Sequence, residues 1–387
     1  MKIPDYIGSL AFGLKMGVIL PGMDIAEEVI KALSCCSRDG LLEDNDVICI
    51  TESIVARAQN NYITVDDIAR EIKEKLGLTE KSRLAVVFPI ASRNRFSIIL
   101  KGLARAVPRG EVVVQLSFPT DEVGNQVIDP GFAEQLGKDE ITLEDLGSRS
   151  FRHPVTGVDY IGLYREIIQE EGAKPFLFLS NDPLKALEYN PDGVIAADIH
   201  TRAVTKKAIS TRFDNCVTLD QLFTGGEVYS EWGLLGSNMS SGERLKLAPR
   251  EGEQLVKDIQ SRIKKQFSHE VQVMIYGDGA YLDPTSGIYE LADPQAAFAA
   301  TDGLNCLREG VKYKYLADQC YHEEHKTAEE IEAILIESIK SNLAQDCMER
   351  EGTTPRRMED VLASLADLVS GSADAGTPIV VVKNFLD

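Results

Sequence analysis

Residues 353–385, TTPRRMEDVLASLADLVSGSADAGTPIVVVKNF, join a helical pattern directly to a strand pattern. Apolar residues recur in the first half at the spacing of one buried helix stripe: Met358, Val361, Leu362, Leu365, Leu368 and Val369. Thr354 suits the N-cap, Pro355 suits the first turn, and Gly371 suits the end of the helix. The following run, PIVVVK, has the length and apolar character of a buried strand. We therefore predict a helix, a short loop and a buried strand.

The loop between them, residues 370–376, contains small residues and one carboxylate, Asp374. Small side chains leave the backbone N–H groups accessible. The loop is therefore either only a turn or a place where backbone amides approach a ligand.

Strand-like and helix-like segments alternate through the first two hundred residues. The patterns predict strands at 47–51, 111–118, 175–180 and 193–198 and a helix at 24–33. Another helix begins near Thr64, which has capping-box spacing to Asp67. This alternation predicts an α/β fold built on a mixed sheet, with an α+β arrangement as the alternative.

The middle of the chain has a looser pattern. Residues 203–352 contain the glycine-rich stretches TGGEVYSEWGLLGSNMSSGE and GDGAYLDPTSG, together with two clear helical patterns and one strand, VQVMIYG. We interpret this part as a substrate-contacting elaboration inserted into a core formed by 1–202 and 353–387.

The composition limits the class of protein. A net charge of −20 opposes unspecific binding to nucleic acid or to an anionic membrane. No apolar run approaches the ~20 residues needed to cross a bilayer, and no clear secretory signal precedes the first strand. The seven cysteines are an odd number without a CxxC pair. We expect a cytoplasmic protein with reduced cysteines.

Three aspartates follow predicted strands. Asp121 and Asn125 follow strand 111–118, Asp198 ends strand 193–198, and Asp278 follows VQVMIYG. Ligands gather beyond the carboxyl ends of strands in α/β sheets, and Mg²⁺ and Mn²⁺ prefer oxygen ligands. The three aspartates therefore predict a metal site. The alternative is that each one only caps a turn.

Phosphate-binding signals are indirect. GxxxxGK[ST] and GxGxxG after a strand are both missing. Ser53 and Arg57 follow strand 47–51, and an arginine at this place can bind phosphate with two hydrogen bonds. An exposed salt bridge is the alternative role of Arg57.

Four segments in a fixed order resemble the γ-glutamyl ligases that extend the deazaflavin coenzyme F420, and are closest to a longer bacterial branch of that family. These segments are MGVILPGMDIAEEVIKAL with EDNDVICITESIVARAQ, then PTDEVGN, GVIAADIHTR and DVLASLADLVSGSADAGTPIVVVKNF. They span 16–202 and 354–385, whereas residues 203–352 show no such resemblance. The resemblance implies an amide ligase that joins L-glutamate to the carboxylate of a small molecule, using GTP or ATP and Mg²⁺ or Mn²⁺, and working as a homodimer.

The resemblance also implies roles for individual residues. Asp121 and Asp198 would be catalytic metal ligands, and Asn125 would contact the nucleotide. The nucleotide pocket would be lined by Met16, Gly17, Val18, Ile19, Ser53, Arg57, Val369, Ser370, Gly371, Ser372, Ala373, Asp374, Ala375 and Gly376. Arg57 stands where the family has lysine, Ile199 where it has Thr or Ser, and Ser372 where an acidic residue is frequent. Asp278 or Asp374 would then compensate for the missing metal ligands.

Three alternative functions remain at this point. The same chemistry could act on another acid, such as in a folate-like γ-glutamyl extension. The protein could instead bind a nucleotide without catalysis, as Ile199 and Ser372 suggest. A metal-dependent phosphohydrolase is the third alternative.

Overall fold

The computed structural model of the chain describes residues 4, 6–277, 281–282, 289–290, 294–308, 312–341, 356–370 and 376–386. These residues form a mixed α/β fold with two main sheets, which confirms the predicted fold class.

The first main sheet has five strands in the order β1-β18-β2-β12-β15. Strand β2 runs parallel to β12, and the other neighbours are antiparallel. The strands are β1 (Leu10–Leu14), β2 (Val47–Thr51), β12 (Gln272–Tyr276), β15 (Ala297–Ala300) and β18 (Ile379–Lys383). All five residues of β18 are buried, as expected for an apolar run in a strand that has neighbours on both sides and helices on both faces.

Helices cover both faces of this sheet. On one face α1 (Ile25–Arg38) and α9 (Gly252–Phe267) pack over an aliphatic core. On the other face lies α12 (Met358–Ser370), the helix predicted from the C-terminal pattern. The side chain of Asp24 caps α1 by accepting a hydrogen bond from the Glu27 N–H.

The second main sheet has six strands in the order β6-β7-β5-β4-β8-β9. All neighbours are parallel except the edge strand β6. The strands are β4 (Arg83–Val87), β5 (Glu111–Leu116), β6 (Glu140–Thr142), β7 (Lys174–Ser180), β8 (Gly193–Ala196) and β9 (Cys216–Thr218). The chain moves from β4 outward to β5 and β7, and then continues on the other side of β4 with β8. The order of the parallel strands therefore reverses between β4 and β8, where α/β sheets bind ligands.

Three helices form one layer on the second sheet: α3 (Val65–Leu76), α4 (Phe96–Ala106) and α7 (Tyr160–Glu170). The predicted capping box of α3 is confirmed, since Thr64 and Asp67 exchange side chain-to-backbone hydrogen bonds. The remaining helices are α2 (Glu52–Ala58), α5 (Pro130–Leu136), α6 (Leu143–Leu146), α8 (Arg202–Ile209), α10 (Tyr313–His322) and α11 (Ala328–Ser341), with 3₁₀ turns at Lys185–Tyr189, Leu219–Gln221 and Asp302–Leu304.

A third, smaller sheet is ordered β10-β11-β3. Its strands are β3 (Tyr62–Thr64), β10 (Asn238–Met239) and β11 (Arg244–Lys246). Two further short pairs are β13 (Tyr281–Leu282) with β14 (Tyr289–Glu290), and β16 (Leu307–Arg308) with β17 (Arg356–Arg357).

Residues 203–352 contribute to both main sheets. Strands β12 and β15 pair within the first sheet, β9 closes one edge of the second, and β10 and β11 extend from β3. Strands of the predicted insertion therefore pair with strands of the predicted core in the same sheets. Its role in contacting a substrate stays a prediction.

Among the described residues, no helix has both the length and the apolar character that a membrane span requires.

Candidate functional site

A polar cleft of about 530 Å³ opens at one end of the first sheet, and we call it the first cleft. It lies between the segment after β1, the start of α2 and the end of α12. Its lining residues are Met16, Gly17, Val18, Ile19, Thr51, Glu52, Ser53, Ile54, Arg57, Asn238, Tyr276, Gly277, Asp367, Ser370, Gly376, Thr377 and Pro378.

Most of the predicted nucleotide-contacting residues that the structure describes meet in this cleft. They come from three distant segments: residues 16–19, the pair Ser53 and Arg57, and the pair Ser370 and Gly376. Val369 does not line the cleft and packs on the core under α12. Gly371, Ser372, Ala373, Asp374 and Ala375 lie outside the described residues, as does Asp278.

Backbone hydrogen bonds fix two walls of the first cleft. The Met16 N–H donates to the Gly376 carbonyl at 3.0 Å, and the Thr51 N–H donates to the Pro378 carbonyl at 3.0 Å. Gly376 has a φ of 68°, a left-handed conformation that side chains other than glycine adopt rarely. The chain returning from residue 376 is therefore held against both β1 and β2.

Arg57 is the cationic side chain that lines the first cleft. It is exposed, and its guanidinium has no ion pair with any residue in the described part of the chain. A guanidinium in a polar cleft can donate two parallel hydrogen bonds to a phosphate or a carboxylate. The expected role of Arg57 in phosphate binding therefore agrees with its position, and the salt-bridge alternative has no partner among those residues.

Tyr276 and Asn238 are among the polar side chains of the first cleft that sequence analysis missed. The Tyr276 hydroxyl lies 2.6 Å from the Ser370 hydroxyl, and burial raises the pKa of Tyr276. This contact joins the end of β12 to the end of α12. No local sequence signal marks these residues, because each belongs to the region that had no recognised motif.

Asp121 lies at the carboxyl edge of the second sheet and does not line the first cleft. Its carboxylate accepts four hydrogen bonds: from the N–H groups of Ala91 (2.7 Å), Val123 (3.1 Å) and Asn125 (2.8 Å), and from the Asn125 side-chain amide (2.9 Å). Burial raises the pKa of Asp121 to about 6, although these hydrogen bonds oppose the shift. The four bonds use the acceptor positions that a carboxylate offers. In this state Asp121 and Asn125 organise the loop that carries them.

Asp198 has a different environment. It is 1% exposed, and its Oδ2 accepts hydrogen bonds from the hydroxyls of Thr201 (2.7 Å) and Thr205 (2.8 Å). Its Oδ1 is buried and has no hydrogen-bond partner. Burial raises the pKa of Asp198, and the neighbouring charge of Glu122 adds to the increase. A buried oxygen without a partner is costly unless a cation or a proton meets it.

Glu122 connects the loops that carry the two aspartates. Its carboxylate accepts hydrogen bonds from the N–H groups of Ile199, His200 (3.2 Å) and Thr201 (3.3 Å), and from the Thr201 hydroxyl (3.2 Å). The loop after β5 thereby crosses the end of β4 and reaches the loop after β8. Asp121 and Asp198 lie on the same edge of the sheet, beside the strand-order reversal. We call Asp121, Glu122, Asp198, Thr201 and Thr205 the carboxylate cluster.

The carboxylate cluster fits a divalent cation at Asp198. The free Oδ1 of Asp198 and the hydroxyls of Thr201 and Thr205 are oxygen donors of the type that Mg²⁺ and Mn²⁺ prefer. Asp121 fits a cation less well, since both of its oxygens already accept hydrogen bonds. No group of three or more His, Cys, Asp or Glu side chains suited to a metal occurs among the described residues.

A narrow apolar cleft of about 20 Å³ lies at the strand-order reversal. Its lining residues are Ile90, Arg95, Phe96, Ile99, Ala197, Ile199, Leu219, Leu234, Leu235, Gly236 and Ser237. Ser237 lines this cleft, and the next residue, Asn238, lines the first cleft. The start of β10 therefore connects the polar cleft of the first sheet with the carboxyl edge of the second.

Comparison with known families identifies the class of the protein. The family model described as F420-0:Gamma-glutamyl ligase matches residues 13–384, nearly the whole chain, including the middle region for which no resemblance was noted. The protein is therefore an enzyme of the ligase class and belongs to the F420-0:gamma-glutamyl ligase family. No curated protein matches the chain.

Proposed function

We propose that this protein is a nucleotide- and metal-dependent ligase that forms an amide bond between L-glutamate and the carboxylate of an F420-0-like acid. The observation that carries the proposal is the convergence of residues 16–19, Ser53, Arg57, Ser370 and Gly376 on one polar cleft of about 530 Å³. Pockets of this volume suit a ligand of nucleotide size.

In the proposed reaction, an oxygen of the acceptor carboxylate attacks the γ-phosphorus of GTP or ATP, and the nucleoside diphosphate leaves. The amine of glutamate then attacks the resulting acyl-phosphate carbon, loses a proton and displaces inorganic phosphate. The protein contributes positioning and charge stabilisation, which are the main requirements of phosphoryl transfer. This division of labour agrees with the lack of a nucleophile motif in the sequence.

Arg57 would bind the phosphate chain in the first cleft. Asp198, with the hydroxyls of Thr201 and Thr205, would hold a divalent cation, and Glu122 would keep the Asp198 loop in place through its backbone hydrogen bonds. When bound, such a cation neutralises negative charge on phosphate oxygens. Roles for Asp121 and Asn125 toward metal and nucleotide, and homodimer formation, remain predictions.

A second candidate is a protein that binds the nucleotide without turning it over. The observation that favours it is the complete hydrogen bonding of the Asp121 carboxylate. The two candidates differ in one measurement, because only the ligase releases nucleoside diphosphate in the presence of an acceptor acid and an amine.

The test combines turnover with cation binding. A screen of carboxylate and amine pairs with Mg²⁺ or Mn²⁺ should identify a pair that drives nucleoside diphosphate release. Asp198→Asn should then lower that release by roughly a hundred-fold or more, since a cation contributes several kcal/mol of charge stabilisation. It should also weaken Mn²⁺ binding, measured by electron paramagnetic resonance without substrates.

Asp214→Asn is the matched control, because Asp214 is an exposed aspartate outside the carboxylate cluster. Wild-type turnover and Mn²⁺ affinity in Asp198→Asn would remove the assignment of Asp198. Nucleotide binding without turnover for any acid and amine would instead favour the second candidate.

A further inference from the structure

A buried ion pair forms part of the wall of the first cleft. The Lys246 ammonium donates to both carboxylate oxygens of Glu52, at 2.7 and 2.6 Å. Each residue is only 7% exposed, and Glu52 lines the cleft as the first residue of α2. Glu52 and Lys246 are 194 positions apart in the sequence, so this contact exists only in the folded chain.

Lys246 reaches Glu52 from the small sheet. It pairs with Asn238 across β10 and β11, and with Tyr62 across β11 and β3. Side chains of residues directly opposite each other in an antiparallel pair lie on the same face. Lys246 and Asn238 therefore share the face of the small sheet that lies toward α2, and Asn238 itself lines the first cleft.

Lys246 offsets one of the two carboxylates that line the described part of the first cleft. Among the described lining residues, Arg57 is cationic, whereas Glu52 and Asp367 are anionic. Without Lys246, the carboxylates would outnumber the cation and would repel a polyphosphate. With Lys246 bonded to Glu52, the formal charges of Lys246, Arg57, Glu52 and Asp367 balance, so the Arg57 guanidinium can attract an anion without a net negative charge opposing it.

We propose that Lys246 is the charge-compensating residue of the first cleft, and that strands β10 and β11 are part of its anion-binding wall. Lys246 neutralises Glu52 and fixes the start of α2, where Thr51 and Ser53 line the cleft on either side of Glu52. It acts through Glu52 and is a positioning residue. The proposal that the anion is a nucleoside triphosphate rests on the proposed function, whereas the effect of Lys246 on an anion does not.

The experiment measures binding of GTP, ATP and inorganic tripolyphosphate by calorimetry, with and without Mg²⁺, at two salt concentrations. Lys246→Met should weaken binding by roughly ten-fold, the effect of one uncompensated charge several ångströms away at an effective dielectric near 20. Glu52→Gln should bind at least as tightly as the wild type. The double variant Lys246→Met/Glu52→Gln should recover to within about two-fold of the wild type, because the uncompensated carboxylate is gone.

Lys383→Met is the matched control for loss of a buried lysine. Lys383 forms a comparable pair with Asp46, at 2.7 and 2.9 Å, and does not line the cleft. It should lower stability without changing anion affinity. If Lys246→Met does not fold, Glu52→Gln still decides the question, since weaker binding by this variant contradicts charge compensation.

The outcomes separate the two proposals. Tripolyphosphate binding without nucleotide binding would reject the proposed function and leave the role of Lys246 to be judged by the same variants. Unchanged affinity in a folded Lys246→Met variant, failure of the double variant to recover, or absence of binding by the wild type to every anion would overturn the inference.

Discussion

The first cleft and the carboxylate cluster use their polar groups in opposite ways. In the first cleft, backbone turns and the Arg57 guanidinium face an open volume of about 530 Å³. In the carboxylate cluster, Asp121 and Asp198 are buried, and both of them and the exposed Glu122 accept hydrogen bonds from residues of their own or neighbouring loops. The difference indicates that the first cleft is shaped to receive a ligand, whereas the cluster is a preformed framework with one unused buried oxygen, Oδ1 of Asp198.

The comparison also distinguishes two aspartates that look alike in the sequence. Asp121 bonds to three backbone N–H groups and fixes a loop, whereas Asp198 bonds only to hydroxyls, which can rotate to other acceptors. Loss of Asp121 should therefore affect mainly stability. Loss of Asp198 should affect mainly cation binding and turnover, with the hundred-fold effect stated above.

The largest expected change in stability is that of Asp121→Ala. The N–H groups of Ala91, Val123 and Asn125 would lose their acceptor, which should lower the free energy of unfolding by about 3–5 kcal/mol. Asp198→Ala should cost only about 1–2 kcal/mol. It removes two hydrogen bonds from hydroxyls, but it also removes the buried oxygen without a partner, which partly offsets that loss. Urea denaturation of both variants measures the difference. Equal losses would show that the two aspartates have the same structural role.

A pH dependence follows from the raised pKa of Asp121, which is about 6 in the folded chain against an ordinary value of 3.8. The folded state then holds a proton that the unfolded state has released between these two values. The free energy of unfolding should therefore decrease by about 3 kcal/mol as the pH rises from about 3.8 to 6, and this term should stay constant above it. Denaturation measured across this range tests the slope.

Asp121→Asn is the control for this slope. The pKa values of Asp46 and Asp198 are also raised by burial, so part of the slope should remain in the variant. A difference in stability between wild type and Asp121→Asn that does not change with pH would contradict the assignment.

Arg57→Met tests whether the first cleft binds a nucleotide through the Arg57 guanidinium. Loss of a charge-assisted contact should weaken nucleotide affinity by roughly ten- to hundred-fold. Because Arg57 is exposed and forms no ion pair with the described residues, stability should change by less than about 0.5 kcal/mol. Arg212→Met provides an exposed arginine outside the cleft as control. A large loss of stability without loss of nucleotide affinity would show that Arg57 stabilises the fold and does not bind the nucleotide.

The smallest expected effect concerns a second contact of strands β10 and β11, in addition to the Lys246–Glu52 pair. Arg105 on α4 contacts Glu243, in the turn between these strands, at 3.1 Å and Glu171 at 2.7 Å. The neighbouring Arg105 lowers the pKa of Glu243 to about 2, so this contribution should be present above the ordinary value near 4.5 and be lost as the pH falls toward 2. Arg105→Met should cost about 1 kcal/mol at low salt, because the side chains are partly exposed.

The dependence on ionic strength distinguishes the Arg105 contacts from the Lys246–Glu52 pair. Salt should reduce the effect of Arg105→Met substantially and that of Lys246→Met only slightly, since the latter pair is buried. Thermal unfolding at low and high salt measures both. An effect of Arg105→Met that is independent of salt would point to lost packing by its aliphatic stem.

The elements that sequence analysis predicted well are those with a complete local signal. Strand 47–51 forms as predicted, the helix predicted at 24–33 extends to Arg38, and the Thr64 capping box is present. Strand 193–198 ends earlier, at Ala196, so Asp198 lies in the following loop. Periodicity and capping depend on neighbours a few residues apart, which the sequence contains directly.

Other features depend on contacts that no local pattern encodes. Strand β12 lies beside β2, a pairing that the interpretation of residues 203–352 as an insertion does not predict. Lys246, Asn238 and Tyr276 reach the first cleft only through such pairings. The hydrogen bonds that distinguish Asp121 from Asp198 likewise require coordinates. By contrast, many residues of the first cleft could be predicted from the sequence, because the family resemblance carries information about tertiary contacts that periodicity lacks.

The position of β18 between β1 and β2 has a consequence for biosynthesis. Strand β1 at residues 10–14 pairs in the described sheet with β18, which also pairs with β2. While the ribosome is still translating the middle of the message, both early strands expose unsatisfied backbone groups that invite aggregation. The nascent polypeptide can complete this sheet, and with it the walls of the first cleft, only after residue 383 has emerged from the exit tunnel.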